Sequence, residues 1–315
     1  MGFLTYIVFR HENAFGNTCE QIINLAILLK KENLNPEMVS IAVEHSWQKD
    51  LVDLIDESGK FNVLVLGDRL HESFQTGWAN LPELIKDPIL PSYYSNSKNK
   101  SYKAGWEWID PSYLPILKKL NGKEFDVVIQ FRVKDSWTWR GETGNTDLSR
   151  YVNQDNFIEL IRQLCELGFR VARIGHGSNE KILEHLNFID TTLIKEFTLK
   201  DQLQLISNAR LFISTDSSIW PLGPALGTPT IISNVTSVFE FFEPLPFFHF
   251  RKFYLPHGKL IARKSHIKVI KPYIFNWIGP HNHYILKPVS LFLGVIKIKD
   301  NSVKDLLPKI KEVLI

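Results

Sequence analysis

The sequence predicts an α/β protein of two halves, each a mostly parallel sheet with helices on its faces. Three observations carry this. Short apolar runs alternate with segments of helical periodicity from residue 4 to 66, and again from 126 to 233. The apolar runs end in polar or Gly-rich turns, as strands do when they feed crossover helices. At 315 residues the chain exceeds what one typical core organises, and two α/β units fit it well.

In the first half, Leu4–Phe9 reads as a buried strand, followed by the polar turn Arg10–Asn17. Thr18-x-x-Gln21 has the form of a capping box, opening a helix from Cys19 to Lys31 whose Ile22, Ile23, Ala26, Ile27 and Leu29 recur at helical spacing. Met38–Val43 is a second strand, Gln48–Glu57 a second helix and Asn62–Leu66 a third strand. Residues 68–122 hold five prolines and many aromatics and read as irregular. Leu120–Lys123 reads as the hinge. The expected units are therefore a Rossmann-like half at 1–122 and a second Rossmann-like half at 123–315, facing each other across a cleft.

The second half repeats the pattern more clearly. Asp126–Phe131 is a strand and 132–152 a long polar loop. Asn153–Leu167 is a helix closed by Gly168, Arg170–Ile174 a strand, and Gly175-His176-Gly177-Ser178 a Gly-rich turn. Phe188–Asp190 is a short strand, and Thr198-x-x-Asp201 caps a helix running through Asn208. Leu211–Ser214 is the next strand, Thr215–Ser218 its turn, Ile219–Leu226 a short helix and Thr230–Ser233 a further strand. Residues 235–290 read as irregular, aromatic and basic. Ser302-x-x-Asp305 caps a final amphipathic helix to Leu314.

Composition excludes several classes. Hydrophobic residues at 44% and charged residues at 23% are ordinary for a globular chain. A net charge of +3 lacks the concentrated basic excess of a nucleic-acid binder, so no nucleic acid is expected as a partner. The two cysteines, Cys19 and Cys165, lie in helical patterns without ligands at metal spacing, so neither a disulfide framework nor a bound metal is expected. No signal peptide and no span-length apolar stretch are visible, and the expected location is cytoplasmic. The basic, aromatic stretch Phe247–Lys271 reads as a solvated face; peripheral contact with the inner face of a membrane is the second reading. Eight Trp are many, and suit either a large core or flat ligands such as sugar rings and bases.

Three constellations could carry chemistry. A buried strand delivers the chain into Asp216, Ser217 and Ser218 just before a helix, where free N–H groups and hydroxyls suit a phosphate; the alternative is a simple helix cap. Arg132, Lys134, Arg140 and Arg150 surround the loop after the second half's first strand, and Arg173 lies within an apolar strand, so that it needs an anionic partner if buried. Gly175 and His176 follow that strand and could meet a base or ribose. Finally, Arg10, His11, Glu12, Asn13, Gly16 and Asn17 follow the first strand. His11 or Glu12 could serve as a general base there, with the others as substrate contacts; a polar turn with a helix cap is the plainer reading. No Asp-x-Asp pair occurs in the chain, so any diphosphate would be neutralised by Arg and N–H groups rather than by a metal.

The string Ser214-Thr215-Asp216-Ser217-Ser218, continuing through Ala225-Leu226-Gly227-Thr228-Pro229-Thr230, resembles the donor-phosphate loop of heptosyltransferase-like GT-B glycosyltransferases. Gln130-Phe131-Arg132, Arg150-Tyr151 and Val171–Gly175 are similar to a family of bacterial surface-polysaccharide glycosyltransferases. The resemblance covers roughly residues 126–234 and departs at Pro221, where heptosyltransferases carry a His. It implies a GT-B-like fold, with the final helix packing back across the junction, and a metal-independent glycosyltransferase needing no cofactor beyond its substrates. A nucleotide-sugar donor would bind the second half, and a glycan or lipid-linked acceptor the first. The competing readings are a sugar-nucleotide epimerase or hydrolase on the same scaffold, and a non-catalytic nucleotide- or glycan-binding protein.

Overall fold

The structure, a computed structural model, describes residues 5–8, 15–31, 33, 35–55, 58–67, 117–131, 138–139, 142–143, 153–175, 180–215, 219–220, 222–235, 258–262, 264–267, 296–299 and 302–315. In the first half, strands β1 (Thr5–Val8), β2 (Val39–Val43) and β3 (Asn62–Val65) form a parallel sheet in that order. Helices α1 (Phe15–Lys31) and α2 (Ser46–Val52) make the crossovers. Every residue of β2 is buried, which is what a central strand covered on both faces requires.

Two local expectations change here. The first helix begins at Phe15, so Gly16 and Asn17 lie in its first turn and not in the preceding loop. Thr18 is buried inside the helix, and its hydroxyl has no hydrogen-bond partner, so it does not act as a cap. Adding a turn to an existing helix costs little compared with nucleating one, and the capping-box spacing did not decide the boundary. The second helix stops at Val52, beyond which Leu54 and Ile55 close tighter turns onto Leu51 and Val52.

The second half is built on six parallel strands: β4 (Phe125–Gln130), β7 (Val171–Arg173), β8 (Phe188–Asp190), β9 (Ala209–Ser214), β10 (Thr230–Val235) and β11 (Gly258–Ala262). Their order is β11-β10-β9-β4-β7-β8. Counted along the chain, this is the doubly wound Rossmann order 3-2-1-4-5-6. Helices α3 (Gln154–Glu166), α4 (Leu199–Ser207), α5 (Leu222–Ala225) and α6 (Val303–Leu314) flank the sheet. Their caps follow the sequence closely. Asn153 Oδ1 accepts from the Asp155 N–H at 2.9 Å, and Thr198 exchanges hydrogen bonds with Asp201 in a complete capping box. Ser302 and Asp305 open α6 in the same way. Gly168, at φ 88°, ends α3 in the left-handed conformation that glycine adopts without steric cost.

Two segments expected to be irregular contain strands. Within 132–152, β5 (Thr138–Trp139) and β6 (Glu142–Thr143) pair antiparallel. Within 235–290, β11 becomes the sixth strand, while β12 (Lys264–Ile267) pairs antiparallel with β13 (Ile296–Lys299). β11, β12 and β13 pair far along the chain, which leaves little local periodicity to read, and β5 and β6, of two residues each, are too short to show one.

Strands β4, β7, β9 and β10 of this sheet are buried on both faces, and alternate residues serve different cores. Val127, Ile129, Leu211, Ile213, Val171 and Ile231 point to one, where α3 contributes Phe157, Leu160, Ile161 and Leu164, and α6 contributes Leu306, Ile310 and Leu314. Helix α6 is thus anchored on α3 and β9, and Arg210 ties its end by donating to Leu314 O at 2.6 Å. Val128, Phe212, Ala172 and Ile232 point the other way, under Leu203, Ile206, Leu222 and Ala225. That second core continues into Cys19, Ile22, Ile23 and Ile27 of α1, and Leu51 and Val52 of α2. The helices between the two sheets therefore share one apolar interior. Just before the segment expected as a hinge, Lys118 N–H donates to Leu54 O at 2.6 Å and Leu117 N–H to Ala225 O at 2.9 Å; within it, Leu120 N–H donates to Ser207 Oγ at 2.8 Å.

Gly223 shows how tightly α5 sits on the sheet. A Cβ there would fall on Thr230 Oγ1 and lie 2.7 Å from the Phe212 ring. Gly223→Ala should therefore destabilise the protein by about 1–3 kcal/mol in urea unfolding, as overpacked core substitutions do. Gly59→Ala, where an added Cβ meets nothing within 4 Å, should stay close to wild type.

Candidate functional site

Strand order places the candidate site. β4 has β7 on one side and β9 on the other, and the direction of winding reverses between β4 and β9. Crossovers leave a crevice at such a point, outside the carboxyl ends of the two strands. The residues there are Gln130 and Phe131 from β4, and Ser214 and Thr215 from β9.

These ends are tied together. Thr215 N–H donates to Gln130 O at 3.2 Å. The Ser214 hydroxyl has Gln130 Oε1 and Thr215 O as acceptors, at 3.0 and 3.1 Å. Thr215 is buried, and its hydroxyl has no hydrogen-bond partner. An unsatisfied buried hydroxyl costs about 1–3 kcal/mol. At a switch point it is a polar group whose hydrogen bond folding leaves unmade.

The chain leaves β4 into Arg132 and leaves β9 into Asp216, Ser217 and Ser218, so these candidates follow neighbouring strand ends in the sequence. Arg132, Lys134, Arg140, Arg150, His176, Asp216, Ser217 and Ser218 themselves lie outside the described residues, as do Arg10, His11, Glu12 and Asn13. One expectation about this turn changes. The regular helix after it is only four residues, Leu222–Ala225, preceded by turns in which Leu222 N–H donates to Ile219 O and Gly223 N–H to Trp220 O. So short a helix adds little macrodipole, and attraction for an anion here would rest on free N–H groups and hydroxyls.

Arg173 has a different place. It is buried, donates from Nη1 to Asp190 Oδ2 at 3.0 Å, and lies over the Phe131 ring at 4.7 Å. Phe131 in turn stacks on Phe157 at 4.9 Å. The carboxylate it needs comes from the adjacent strand β8, and Asp190 is itself held by the Thr192 N–H and hydroxyl at 3.1 and 2.6 Å. The Arg173 charge is therefore neutralised inside the protein. Gly175 follows, with φ 149°, a conformation that disfavours any side chain. Thr191 Oγ1 donates to Arg173 O at 2.6 Å and fixes the end of β7.

Sequence reasoning quoted Gln130 and Thr215 within its motifs but gave neither a role of its own. Nothing local marks a strand-terminal Gln as the residue that fastens two strand ends; the pairing of β4 with β9 does so. Among the described residues no group of three His, Cys, Asp or Glu side chains is placed to hold a metal ion, and no helix is long and apolar enough to cross a membrane.

Comparison with known proteins agrees with this architecture. The sequence profile of glycosyltransferase family 9 (heptosyltransferase) matches residues 150–233, the stretch from before α3 to β10. Among curated proteins no sequence matches the chain. Among solved structures, the ADP-heptose LPS heptosyltransferase II of E. coli is 11% identical, with 98% of each chain covered and a TM-score of 0.52. The glycosyl transferase family 9 protein of Veillonella parvula DSM 2008 is 10% identical, with 100% of this chain and 98% of that one covered and a TM-score of 0.51. The dodecameric iron-containing heptosyltransferase TibC, solved in complex with ADP-D-beta-D-heptose, is a looser match, at 13% identity and a TM-score of 0.41; this chain spans 58% of its length, and 73% of this chain is covered. The fold is the GT-B fold of heptosyltransferases.

Two outcomes follow from the geometry. Asp190→Ala leaves a buried guanidinium unpaired and should cost about 3–5 kcal/mol in chemical denaturation, with much of the loss recovered on adding Arg173→Met. Burial pushes the Cys165 thiol up to about 11, with Glu166 adding to the effect. It should stay protonated and inert to iodoacetamide at pH 8, and become alkylated only on unfolding or as the pH nears that value, read by mass spectrometry.

Proposed function

We propose that the protein is a metal-independent glycosyltransferase whose second half binds a nucleotide-sugar donor at the β4/β9 crevice. The observation that carries this is the buried, unpartnered Thr215 hydroxyl at the switch point, inside the stretch matched by the glycosyltransferase family 9 profile. The name of the E. coli structure, an ADP-heptose heptosyltransferase, favours an ADP-linked sugar as donor.

In this reading the diphosphate lies between the turn after β9 and the loop after β4. Ser217 and Ser218 supply hydroxyl donors, and backbone N–H groups of the same turn supply more. Asp216 orients the turn. Arg132 neutralises the diphosphate from the β4 side, helped by Lys134, Arg140 and Arg150. As the anomeric C–O bond breaks, negative charge grows on the leaving diphosphate, and these fixed donors stabilise it without a metal. Gly175 and His176 border the base or ribose. Arg173 supports the crevice from within through Phe131.

The acceptor, a glycan or lipid-linked sugar, is taken by the first half. His11 or Glu12 removes the proton of the attacking hydroxyl, with Arg10, Asn13, Gly16 and Asn17 around it. The proposed setting is cytoplasmic, at the inner face of a membrane when the acceptor is lipid-linked.

A thermal-shift panel of ADP-, UDP-, GDP- and CMP-sugars tests the donor site. Stabilisation by the ADP-sugar is expected, amounting to about 2.7 kcal/mol at roughly a hundredfold excess over Kd. Thr215→Val should keep the fold at least as stable while weakening that binding about fivefold, the worth of one hydrogen bond. No stabilisation by any of the four overturns the reading.

A further inference from the structure

The second core ends before the sheet does. Val128 of β4 and Ala172 of β7 are buried on the face that α4 and α5 cover. The register carries that row on to Ile189 of β8, which is 37% exposed. Among the described strands, β8 has β7 on one side and no neighbour on the other.

Apolar exposure is concentrated at this edge. Seven large apolar side chains are exposed among the described residues, and four of them, Leu186, Ile189, Leu193 and Ile194, fall in the single stretch 186–194. Exposed apolar groups scattered singly are ordinary, whereas a cluster on one edge marks a contact surface. Leu186, in the turn before β8, is 97% exposed, so packing within its own chain does not account for it. A fifth, Leu167, follows α3 at the same end of the strand, where Asn187 Nδ2 donates to Cys165 O at 3.3 Å.

The edge also lacks the usual guard. A free strand is commonly kept from pairing by a charged side chain on it. The one charged residue of β8, Asp190, turns its carboxylate inward, to Arg173 at 3.0 Å and to the Thr192 N–H and hydroxyl. Charges stand on the flanks instead. Lys181 and Glu184 lie before the strand, 3.0 Å from each other, and Lys195 and Glu196 lie after it, all exposed. Each flank carries both signs. A polyanion or an anionic lipid surface would need one sign, so this rim is suited to neither.

We infer that β8 is a dimerisation edge whose occupant is β8 of a second copy of this chain, paired antiparallel about a two-fold axis at Ile189. The pairing makes one continuous sheet of the two copies. Ile189 lies opposite itself, with Leu186, Leu193 and Ile194 around it, as an isologous contact requires. The axis reverses chain direction and sets each flank beside the opposite flank of the other copy. Glu184 then meets Lys195 and Lys181 meets Glu196, every pair of unlike sign. The inference is independent of the donor site proposed at the β4/β9 crevice.

Sedimentation velocity on the full chain over a wide concentration range tests it. Wild type is expected to show a concentration-dependent dimer. Leu186→Glu changes a side chain almost wholly in solvent, so it should keep the wild-type circular dichroism and melting curve while weakening the dimer about tenfold or more. Lys195→Glu should weaken it severalfold at low salt, and Glu184→Lys in the same chain should restore it. Ile189→Cys, oxidised by dissolved oxygen, should form a disulfide-linked dimer, since Cys19 and Cys165 are buried and do not compete. Wild type that stays monomeric at every concentration overturns the inference, as does a dimer that Leu186→Glu leaves unchanged. A charge swap that restores nothing, or an Ile189→Cys dimer that forms no disulfide, overturns the two-fold pairing.

Discussion

A parallel sheet with helical crossovers must be covered on both faces, and the rest of this structure follows from how the six strands of the second half meet that demand. One face takes α3 and the terminal helix α6. The other takes α4 and α5, whose outer sides meet α1 and α2 of the first half in one apolar interior. The two halves are therefore coupled through packing. Hydrogen bonds from Leu117, Lys118 and Leu120 to both sides of the chain add to that coupling at the connection. The close fit explains why Gly223 faces the Phe212 ring with no room for a side chain.

The same strand order creates the site. Winding outward in both directions from β4 and β9 leaves their carboxyl ends uncovered by crossovers, and Gln130 fastens the two ends to each other. Charge is divided in a consistent way around them. Arg173 lies inside the sheet and is neutralised by Asp190, so it stiffens the wall of the crevice. In the proposed reading, cations for a diphosphate come from the loops beyond the strands, where Arg132 and Lys134 stand in the sequence. A carboxylate paired within the sheet could not be exchanged for a ligand without leaving a buried charge behind, a large cost.

The first half contrasts with this. At the end of β2 the buried charge is a carboxylate, Glu44, with an imidazole and an indole beside it.

Much of this was legible in the sequence. The strands at 188–190 and 39–43, the caps at Asn153, Thr198 and Ser302, and the Gly168 stop were all readable, because each depends on contacts within a few residues. The likeness of the 214–230 string to a donor loop pointed to the right fold for the same reason: it is a contiguous motif. What needed the tertiary structure was everything decided by pairing at a distance. The strands β11, β12 and β13 exist through partners far along the chain, the start of α1 ignored its capping box, and the helix after Ser218 proved too short to bring a dipole. Arg173 could be seen to require an anion, yet only the neighbouring strand identified it as Asp190. Thr215 carries no local signature at all. Its significance is a missing hydrogen bond, and a missing partner becomes visible only once every neighbour is in place.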